Sequence, residues 1–259
     1  MRAIATDLDG TVLRADGSLS PFSREVLEAA TATGIELVLA TARRPCTAFA
    51  AVPVGNWGVC LNGALVRDRS GRMTLEERTV PIAVAIELER WLATALPTAR
   101  LSICDGDRLI LRRDEAESIS ARRRIELVIV DSIADTPCSA FHALNIWLDG
   151  VRADDAIDML HATLPSDVAV ARVSSPHSIN VSACKVSKSS GMAILAEYLS
   201  IDAQQVIAYG DMPNDCDLLA WAGHGVAVAD GHPDVRRIAD HVTGSSESDG
   251  PAHHLRTLL

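Results

Sequence analysis

The sequence predicts an α/β protein in which a doubly wound parallel sheet is interrupted by an inserted α+β domain. Three observations lead to this prediction. Strand and helix patterns alternate in the first third of the chain, and the same alternation returns in the last quarter. Between these regions, a helix followed by two strands occurs twice. Alternating strands and helices imply parallel strands, whereas strands joined by tight turns are antiparallel.

The first third contains three short strands and one well-delimited helix. Ser20 is a typical N-cap and Pro21 fits the first helical position, so a helix begins there. Gly34 ends this helix in a left-handed conformation. Ile35 opens a nearly continuous apolar run, which is typical of a strand buried on both faces. The strand candidates span residues 2–6, 35–40 and 58–61.

The middle of the chain differs because its strands follow one another in pairs. A helix begins at Pro81 and ends before Pro97, and Asp105-Gly106 is a hairpin signal between the next two strands. These two strands span residues 99–104 and 108–112. The same order of one helix and two strands then repeats, as helix 151–164 and strands 168–173 and 178–183. We therefore expect a separate α+β domain.

The last quarter returns to the α/β pattern. Its predicted elements are helix 187–199 and strands 205–209 and 225–228, with a further helix between the strands. The predicted organisation is therefore one α/β domain of residues 1–80 and 184–259, interrupted by an α+β domain of residues 81–183.

Composition and charge exclude several classes of protein. The chain has 34 acidic residues against 24 lysines and arginines, a net charge of −10, so it lacks the basic surface that a nucleic-acid partner requires. No apolar run is long enough to cross a bilayer, and Asp7 comes too early for a secretory signal. The six cysteines are scattered without a CxxC pair, which favours a reducing compartment. We expect a cytoplasmic enzyme.

Pairs of carboxylates follow two of the predicted strands, where an open α/β sheet binds its ligands. Asp7 and Asp9 lie at the end of the first strand, and Asp211 and Asp215 follow strand 205–209. Two acids on a turning backbone can divide the work, one as nucleophile and the other as acid and base. Converging carboxylates also require a cation, and oxygen ligands favour Mg²⁺. The alternative to a functional role is a plain Asp-Gly turn for the first pair of acids. For the second pair, it is a helix whose first turn carries acidic residues.

Two further polar residues are predicted at the same edge of the sheet. Thr41 directly follows the buried strand 35–40, so its hydroxyl faces this edge, unless it only caps the next segment. Lys188 lies in the first turn of a helix, where the helix dipole disfavours a cation unless an anion is nearby. Taken alone, Lys188 is interpreted as a solvated surface lysine.

The order of these signals resembles that of the haloacid dehalogenase superfamily of phosphohydrolases. The four motifs are Asp7-Leu8-Asp9-Gly10-Thr11, Leu39-Ala40-Thr41, Lys185-Val186-Ser187-Lys188 and Gly210-Asp211-Met212-Pro213-Asn214-Asp215. The insertion between the second and third motifs is similar to the α+β cap of the Cof-type subclass, IIB. Leu61-Asn62-Gly63-Ala64 and Asp249-Gly250 also resemble segments of that subclass. The resemblance covers nearly the whole chain and implies a Rossmann-like α/β core that carries a cap.

The resemblance implies a role for each matching residue. Asp7 is the expected nucleophile and forms an aspartyl-phosphate, while Asp9 protonates the leaving oxygen and then activates water. The residues expected to contact the phosphoryl oxygens are Thr41, Lys188 and Asn214. The expected ligands of Mg²⁺ are Asp7, the backbone carbonyl of Asp9, and Asp211, with Asp215 in or beside the coordination shell.

One motif departs from the subclass. The usual Thr-Gly-Arg is Thr41-Ala42-Arg43 here. The methyl group of Ala42 is expected to shift this loop slightly, and Arg43 with it. We expect Arg43, Asn62 and His177 close to the substrate. The basic run Arg122-Arg123-Arg124 is interpreted as a solvated helix face, with phosphosugar binding as the alternative.

The residues and the resemblance together predict a Mg²⁺-dependent phosphatase for a small phosphorylated metabolite, with a phosphosugar as the preferred class. A phosphomutase with the same Asp7 and Asp9 is one alternative. A phospho-ligand binding protein without turnover is the other, although a pure binder does not need Asp9. We expect no nucleic-acid or membrane partner, a monomer or homodimer, and substrate selection by the inserted domain.

Overall fold

The computed structural model describes residues 1–116, 126–161, 163–172 and 177–259. It divides into two compact units. We call Met1–Glu77 with Ser187–Leu259 the core unit, and Arg78–Val186 the inserted unit. Within the described ranges, no helix is both long enough and apolar enough to cross a membrane. The run Arg122-Arg123-Arg124 lies outside the described residues.

The elements fall into three groups along the chain. The first group is β1 (Ala3–Thr6), α1 (Pro21–Ala32), β2 (Glu36–Ala40), α2 (Pro45–Ala51), β3 (Trp57–Cys60), β4 (Leu65–Asp68) and β5 (Thr74–Glu77). The inserted unit follows with β6 (Val80–Pro81), α3 (Ile82–Ala95), β7 (Arg100–Asp105), β8 (Arg108–Arg112), α4 (Arg113–Ala116), β9 (Glu126–Val130), β10 (Ala140–Phe141), β11 (Ala143–Trp147), α5 (Ala153–His161), β12 (Val168–Arg172) and β13 (Ser178–Ala183). The last group is α6 (Lys188–Leu199), β14 (Val206–Gly210), α7 (Cys216–Trp221), β15 (His224–Val228), α8 (Pro233–Ile238), β16 (His241–Thr243) and α9 (Gly250–Arg256).

The core unit is built on a mixed sheet that is mostly parallel. Over the described residues it has eight strands in the order β16-β15-β14-β1-β2-β3-β4-β5. The strands from β16 to β3 are parallel, as expected for a doubly wound sheet, although β16 itself was not predicted, and β1 lies in the middle. β4 and β5 add an antiparallel edge that was not predicted. Both carry charged residues and the two end residues of β5 are exposed, so they lack the apolar run of a central strand.

Helices cover both faces of this sheet. Successive residues of a strand point to opposite faces, so Ile4 packs with α1 and α9 whereas Ala5 packs with α6 and α7. Leu39 and Ala40 repeat this alternation in β2. Because both faces are buried, few polar side chains occur within these strands. The polar residues therefore follow where the strands end.

The helix start that was predicted from the capping residue Ser20 is confirmed, and α6 begins with a cap that was not predicted. The hydroxyl of Ser20 accepts the N–H of Ser23 at 2.9 Å, and Gly34 follows the end of α1 with a φ of 86°. The side chain of Ser187 caps α6 in the same way. Lys188 is therefore the first residue of α6, at the end of the helix that faces the sheet's carboxyl edge.

The inserted unit has its own sheet, with α3 and α5 packed against one face. Over the described residues this sheet has six strands in the order β12-β13-β11-β7-β8-β9, and β6 and β10 form a separate pair. The predicted repeats are α3-β7-β8 and α5-β12-β13, and the predicted hairpin pairs Asp105 with Arg108. β9 and β11 were not predicted. The β8–β9 pair is parallel, unlike the expected antiparallel sheet, because a longer connection separates these two strands.

Candidate active site

The candidate residues of the core unit meet at the carboxyl edge of the parallel strands. β1 is flanked in parallel register by β14 and β2. Asp7 is the first residue beyond β1, and its N–H still donates to the carbonyl of Tyr209 at 3.0 Å. Asp211 and Thr41 are the first residues beyond β14 and β2. Three neighbouring strands therefore deliver these three side chains to the same edge.

Lys188 is the buried cation of this site. Its side chain is 0% exposed, and its Nζ lies 2.8 Å from Oδ1 of Asp7 and 2.6 Å from Oδ1 of Asp215. Burial disfavours the charged ammonium, but attraction to Asp215 and Asp7 and the hydrogen bonds with them outweigh it, so the pKa of Lys188 is raised. The interpretation as a solvated lysine is wrong, because two anions accompany it in the first turn of α6.

Asp215 uses both carboxylate oxygens within the protein. Oδ1 accepts from Lys188, whereas Oδ2 accepts the backbone N–H groups of Asp211 at 3.0 Å and of Met212 at 2.9 Å. The side chain is fully buried inside the loop between β14 and α7. Asp215 therefore holds the loop and the lysine in position from within.

Asp7, Asp211 and Asp215 are a group of acids, found among the described residues, whose ligand atoms lie within 4.8 Å of one another. Burial raises the pKa of Asp211 to about 8, and repulsion from Asp7 adds to this shift. Burial also raises the pKa of Asp7 to about 6, although Lys188 opposes the shift. Lys188 contacts only Asp7 and Asp215 of these three carboxylates, and a divalent cation would relieve the remaining repulsion.

Two residues of the first motif fix the position of Asp211. Oγ1 of Thr11 donates to Oδ1 of Asp211 at 2.7 Å. Gly10 has a φ of 76°, and a Cβ there would lie only 2.6 Å from Oδ2 of Asp211. No role was predicted for Thr11, although a hydroxyl directly after Asp-Gly at a strand end is the signal that indicates one.

Asp9 is paired with Arg43. Nε of Arg43 donates to Oδ2 of Asp9 at 2.6 Å, and Nη2 donates to Oδ1. This side-chain hydrogen bonding is the main reason that the pKa of Arg43 is raised. The side chain of Asp9 is 58% exposed, in contrast to the buried Asp7. The sequence suggested no such pair, because it joins residues that meet only through the turn after β2.

The alanine in the second motif leaves its neighbours in place. Ala42 is exposed and its φ is not positive, so the backbone requires no glycine there. Thr41 is buried, and its hydroxyl oxygen accepts the N–H of Arg43 at 3.1 Å. Arg43 therefore reaches the first motif despite the added methyl group.

Asn62 and Asn214 contact each other. Nδ2 of Asn214 donates to Oδ1 of Asn62 at 3.1 Å. Asn62 has a left-handed backbone with a φ of 57°, and its N–H donates to the carbonyl of Thr41 at 3.0 Å. A Cβ on Gly63 would overlap the carbonyl of Ser187, the N-cap of α6. This turn therefore links the second, third and fourth motifs.

His177 belongs to the inserted unit, whereas all the other candidates belong to the core unit. Its Nδ1 lies 2.9 Å from the carbonyl oxygen of Val151, so the tautomer protonated at Nδ1 donates to this oxygen. The bond ties the residue before β13 to the segment before α5. Within its own unit, His177 thus has a structural hydrogen bond.

Comparison with known proteins identifies relatives over the full length. A family model for haloacid dehalogenase-like hydrolases matches residues 4–255. The chain is 27% identical to the phosphatase YwpJ of Bacillus subtilis, with 100% of both chains covered. It is also 27% identical to a phosphoglycolate phosphatase of Methanothermobacter thermautotrophicus, over 100% of this chain and 99% of the relative.

Solved structures share the fold. BT4131, a sugar phosphatase of haloacid dehalogenase subclass IIB, matches with a TM-score of 0.82 at 18% identity, covering 100% of this chain and 99% of the other. At this identity the likeness concerns the fold alone, and it confirms the predicted α/β class. Because the family model spans nearly the whole chain, the protein belongs to the haloacid dehalogenase-like hydrolases.

Proposed function

We propose that this hydrolase is a phosphatase that removes the phosphoryl group of a small phosphorylated metabolite, with Asp7 as nucleophile. The observation that carries the proposal is the position of the Asp7 carboxylate beyond the central strand, 2.8 Å from the Nζ of the buried Lys188. Relatives that align over the full length are phosphatases by name. A phosphosugar is the preferred substrate class, in keeping with the sugar phosphatase that shares the fold.

The acids of the site fit a divalent metal ion, and we propose Mg²⁺. The groups that would hold it are the carboxylates of Asp7 and Asp211 and the backbone carbonyl of Asp9. Asp215 has both oxygens engaged within the protein, so it would support the site from beside the ion and not as a ligand. Oxygen donors alone favour Mg²⁺ over zinc. When bound, the ion would neutralise charge on the carboxylates and on the phosphoryl oxygens.

In the first step, the Asp7 carboxylate attacks phosphorus and the bond to the leaving oxygen breaks. The electron pair of that bond goes to the leaving oxygen, which takes a proton from Asp9. The products are an aspartyl-phosphate on Asp7 and a free alcohol. Arg43 engages both oxygens of Asp9, so this pair opens and Asp9 takes up a proton from solvent before the step begins.

In the second step, water attacks the phosphorus of the aspartyl-phosphate, and Asp9 takes the proton of that water. Inorganic phosphate leaves and the Asp7 carboxylate is regenerated. Thr41, Lys188 and Asn214 hold the phosphoryl oxygens in both steps. Lys188 suits this role because its raised pKa keeps it charged. Phosphoryl transfer needs such positioning and charge neutralisation more than covalent chemistry.

Three further assignments are part of the proposal. Arg43 and Asn62 contact the substrate from the core unit, and His177 contributes from the inserted unit. The inserted unit selects the substrate. The protein acts in the cytoplasm as a monomer or homodimer.

A metabolite screen with phosphate detection tests the proposed function. Protein with Mg²⁺ is incubated with sugar phosphates and with phosphoglycolate, and Asp7→Asn serves as the matched control. Release of free phosphate by the wild-type protein alone supports hydrolysis. An isomeric phosphoester without free phosphate would indicate a phosphomutase. Ligand binding without any product would indicate a binding protein.

A further inference from the structure

Asp249 and Gly250 form a tight turn at the start of α9, and the proposed reaction gives neither residue a role. Asp249 directly precedes α9 and has a left-handed backbone with a φ of 55°. A Cβ on Gly250 would overlap the carbonyl oxygen of Gly244, so glycine is required there. The N–H of Gly250 also donates to the carbonyl of Ser245 at 2.9 Å. This closed turn fixes the backbone from which the Asp249 side chain projects.

Two carboxylates near this turn hold the loop between β1 and α1. Oδ2 of Asp249 accepts from Nη2 of Arg14 at 2.9 Å, and Oδ1 accepts the hydroxyl of Ser23 at 3.2 Å. Oε1 of Glu247 accepts the N–H of Ala15 at 2.7 Å. The side chain of Asp249 is only 12% exposed, so its position is well defined. Arg14 and Ala15 lie in the β1–α1 loop, which also contains the first motif.

The backbone of Asp9 is tied to the residue before Arg14. Asp9 and Leu13 form an isolated β-bridge, and the N–H of Leu13 donates to the carbonyl of Leu8 at 2.8 Å. Residues 8–13 are therefore a closed turn that carries Asp9, and Arg14 is the residue at its exit. By holding Arg14, Asp249 fixes one end of this turn.

The same loop also approaches Arg43, the partner of Asp9. The N–H of Arg14 donates to the carbonyl of Ser18 at 3.0 Å, and the N–H of Gly17 donates to the carbonyl of Arg14 at 2.8 Å. Gly17 has a φ of 79°, and a Cβ there would lie 3.9 Å from Nη2 of Arg43. Both the backbone of Asp9 and the arginine that pairs with it are thus next to the segment that begins at Arg14.

We propose that Asp249 is a positioning residue for proton transfer by Asp9, acting through Arg14. The inference rests on the proposed role of Asp9 as acid and base. The side chain of Asp9 is exposed and changes partners during the reaction, so the backbone of its turn determines where the carboxyl group can reach. Asp7 is held separately by the buried Lys188. Loss of the Asp249 carboxylate should therefore impair protonation of the leaving oxygen more than attack by Asp7.

Phenyl phosphate and 4-nitrophenyl phosphate distinguish these two effects, because they differ mainly in the leaving group. Nitrophenolate leaves without a proton, whereas the more basic phenolate requires one. The ratio kcat/KM reports the first step, in which the leaving group departs. All assays use full-length protein and saturating Mg²⁺, so that a change in metal affinity does not contribute.

Asp249→Asn removes the charge, and asparagine tolerates the left-handed backbone. We expect kcat/KM to fall by about three- to tenfold for phenyl phosphate and by less than about twofold for 4-nitrophenyl phosphate, given the modest strength of a partly exposed ion pair. Arg14→Met should show the same pattern. The double variant should lose no more than either single variant, because both remove one interaction.

Asp9→Asn is the reference and should show the same difference between the esters more strongly. Glu28→Gln is the matched control, because it removes an exposed ion pair of α1 with Arg24 and should leave both esters unchanged. Circular dichroism checks folding. If folded Asp249→Asn and Arg14→Met lose activity equally on both esters, or on neither, the proposal is overturned while the role of Asp9 stands. If Asp9→Asn itself affects both esters alike, the role of Asp9 fails and this inference fails with it.

Discussion

Asp7 and Asp9 are close in sequence but have different surroundings. Asp7 is buried against Lys188, whereas Asp9 is exposed and paired with Arg43. A buried carboxylate in a fixed position suits attack on phosphorus, and an exposed one that can change partners suits proton transfer. The two residues are therefore expected to respond differently to the same substitution.

Asp7→Asn should abolish both phosphate release and covalent phosphorylation, because the amide is a poor nucleophile. Asp9→Asn should slow release by about 10²- to 10⁴-fold, the usual contribution of a general acid and base, while Asp7 still accepts phosphoryl groups. Steady-state phosphate release and mass spectrometry of acid-quenched protein measure the two effects. Near-normal turnover by Asp7→Asn would show that the nucleophile is another residue.

Arg43→Ala should lower kcat/KM by about 10- to 100-fold, since charged hydrogen bonds contribute about 1.5–3 kcal/mol. Arg43→Lys should recover only part of the loss, because an ammonium cannot make both hydrogen bonds at once. Ala42→Gly is the control, and we expect it to be nearly neutral because Ala42 is exposed. If all three variants were equally active, Arg43 would have no role in the reaction.

The sequence predicted which residues meet at the candidate site better than it predicted their contacts. Asp7, Thr41 and Asp211 follow buried strands, and a parallel sheet necessarily brings such positions to one edge. The pair of Asp9 with Arg43 depends on the path of one turn, which leaves no periodic pattern. Asp215 accepts hydrogen bonds both from Lys188 and from the backbone of its own loop, and no sequence pattern indicates this double role.

Among the secondary-structure elements, those with capping residues or long apolar runs were predicted well. α1 begins after the predicted cap Ser20, α6 lies within the predicted helix 187–199, and β2 lies within the predicted apolar run. β5 has only four residues, of which the first and last are exposed, so it lacks the apolar run of a buried strand. β9 was missed although its β-branched residues are typical of strands.

The loop between α2 and β3 depends on a single arginine just after β4. The guanidinium of Arg69 donates to four backbone carbonyls, at 2.6 to 3.0 Å, and lies 4.5 Å from the ring centroid of Phe49. The accepting residues are Phe49, Val52, Val54 and Gly55. One side chain therefore supplies the hydrogen-bond donors that backbone N–H groups supply within a helix or sheet.

Arg69→Met should destabilise the protein by about 2–4 kcal/mol, because several carbonyls lose their donor at once. Arg69→Lys should recover a minor part, since an ammonium does not span four acceptors. Arg72→Met, at an exposed position of the next turn, is the control and should change stability little. Urea unfolding measures all three. Equal midpoints for Arg69→Met and Arg72→Met would contradict the role of this arginine.

For the molecule as a whole, a chelator should abolish phosphate release and lower the melting temperature, and Mg²⁺ should restore both. The reason is that the ion offsets repulsion among Asp7, Asp211 and Asp215 and stabilises the folded state by mass action. Activity assays and thermal melts on the same samples measure the two effects. Full activity in thoroughly demetallated protein would contradict the proposed metal dependence.

Substrate selection by the inserted unit is tested by removing residues 78–186 and joining Glu77 to Ser187 with a flexible linker. Leu75 in β5 packs against the apolar cluster that includes Met192 of α6, so β5 lies beside the helix that follows the cut. We expect slow hydrolysis of a small activated ester and loss of discrimination among sugar phosphates. Unchanged substrate ratios would place selection in the core unit.

The central strand of the core has a consequence for synthesis of the chain on the ribosome. β1 meets its neighbour β2 almost at once, but its other neighbour, β14, emerges only after the inserted unit has been translated. At about 5–20 residues per second, residues 78–186 take roughly 5–20 s to make. During that interval the nascent chain carries an unpaired strand edge, which is open to wrong pairing with other chains. The inserted unit is thus synthesised before β14 can pair with β1 and complete the sheet of the core unit.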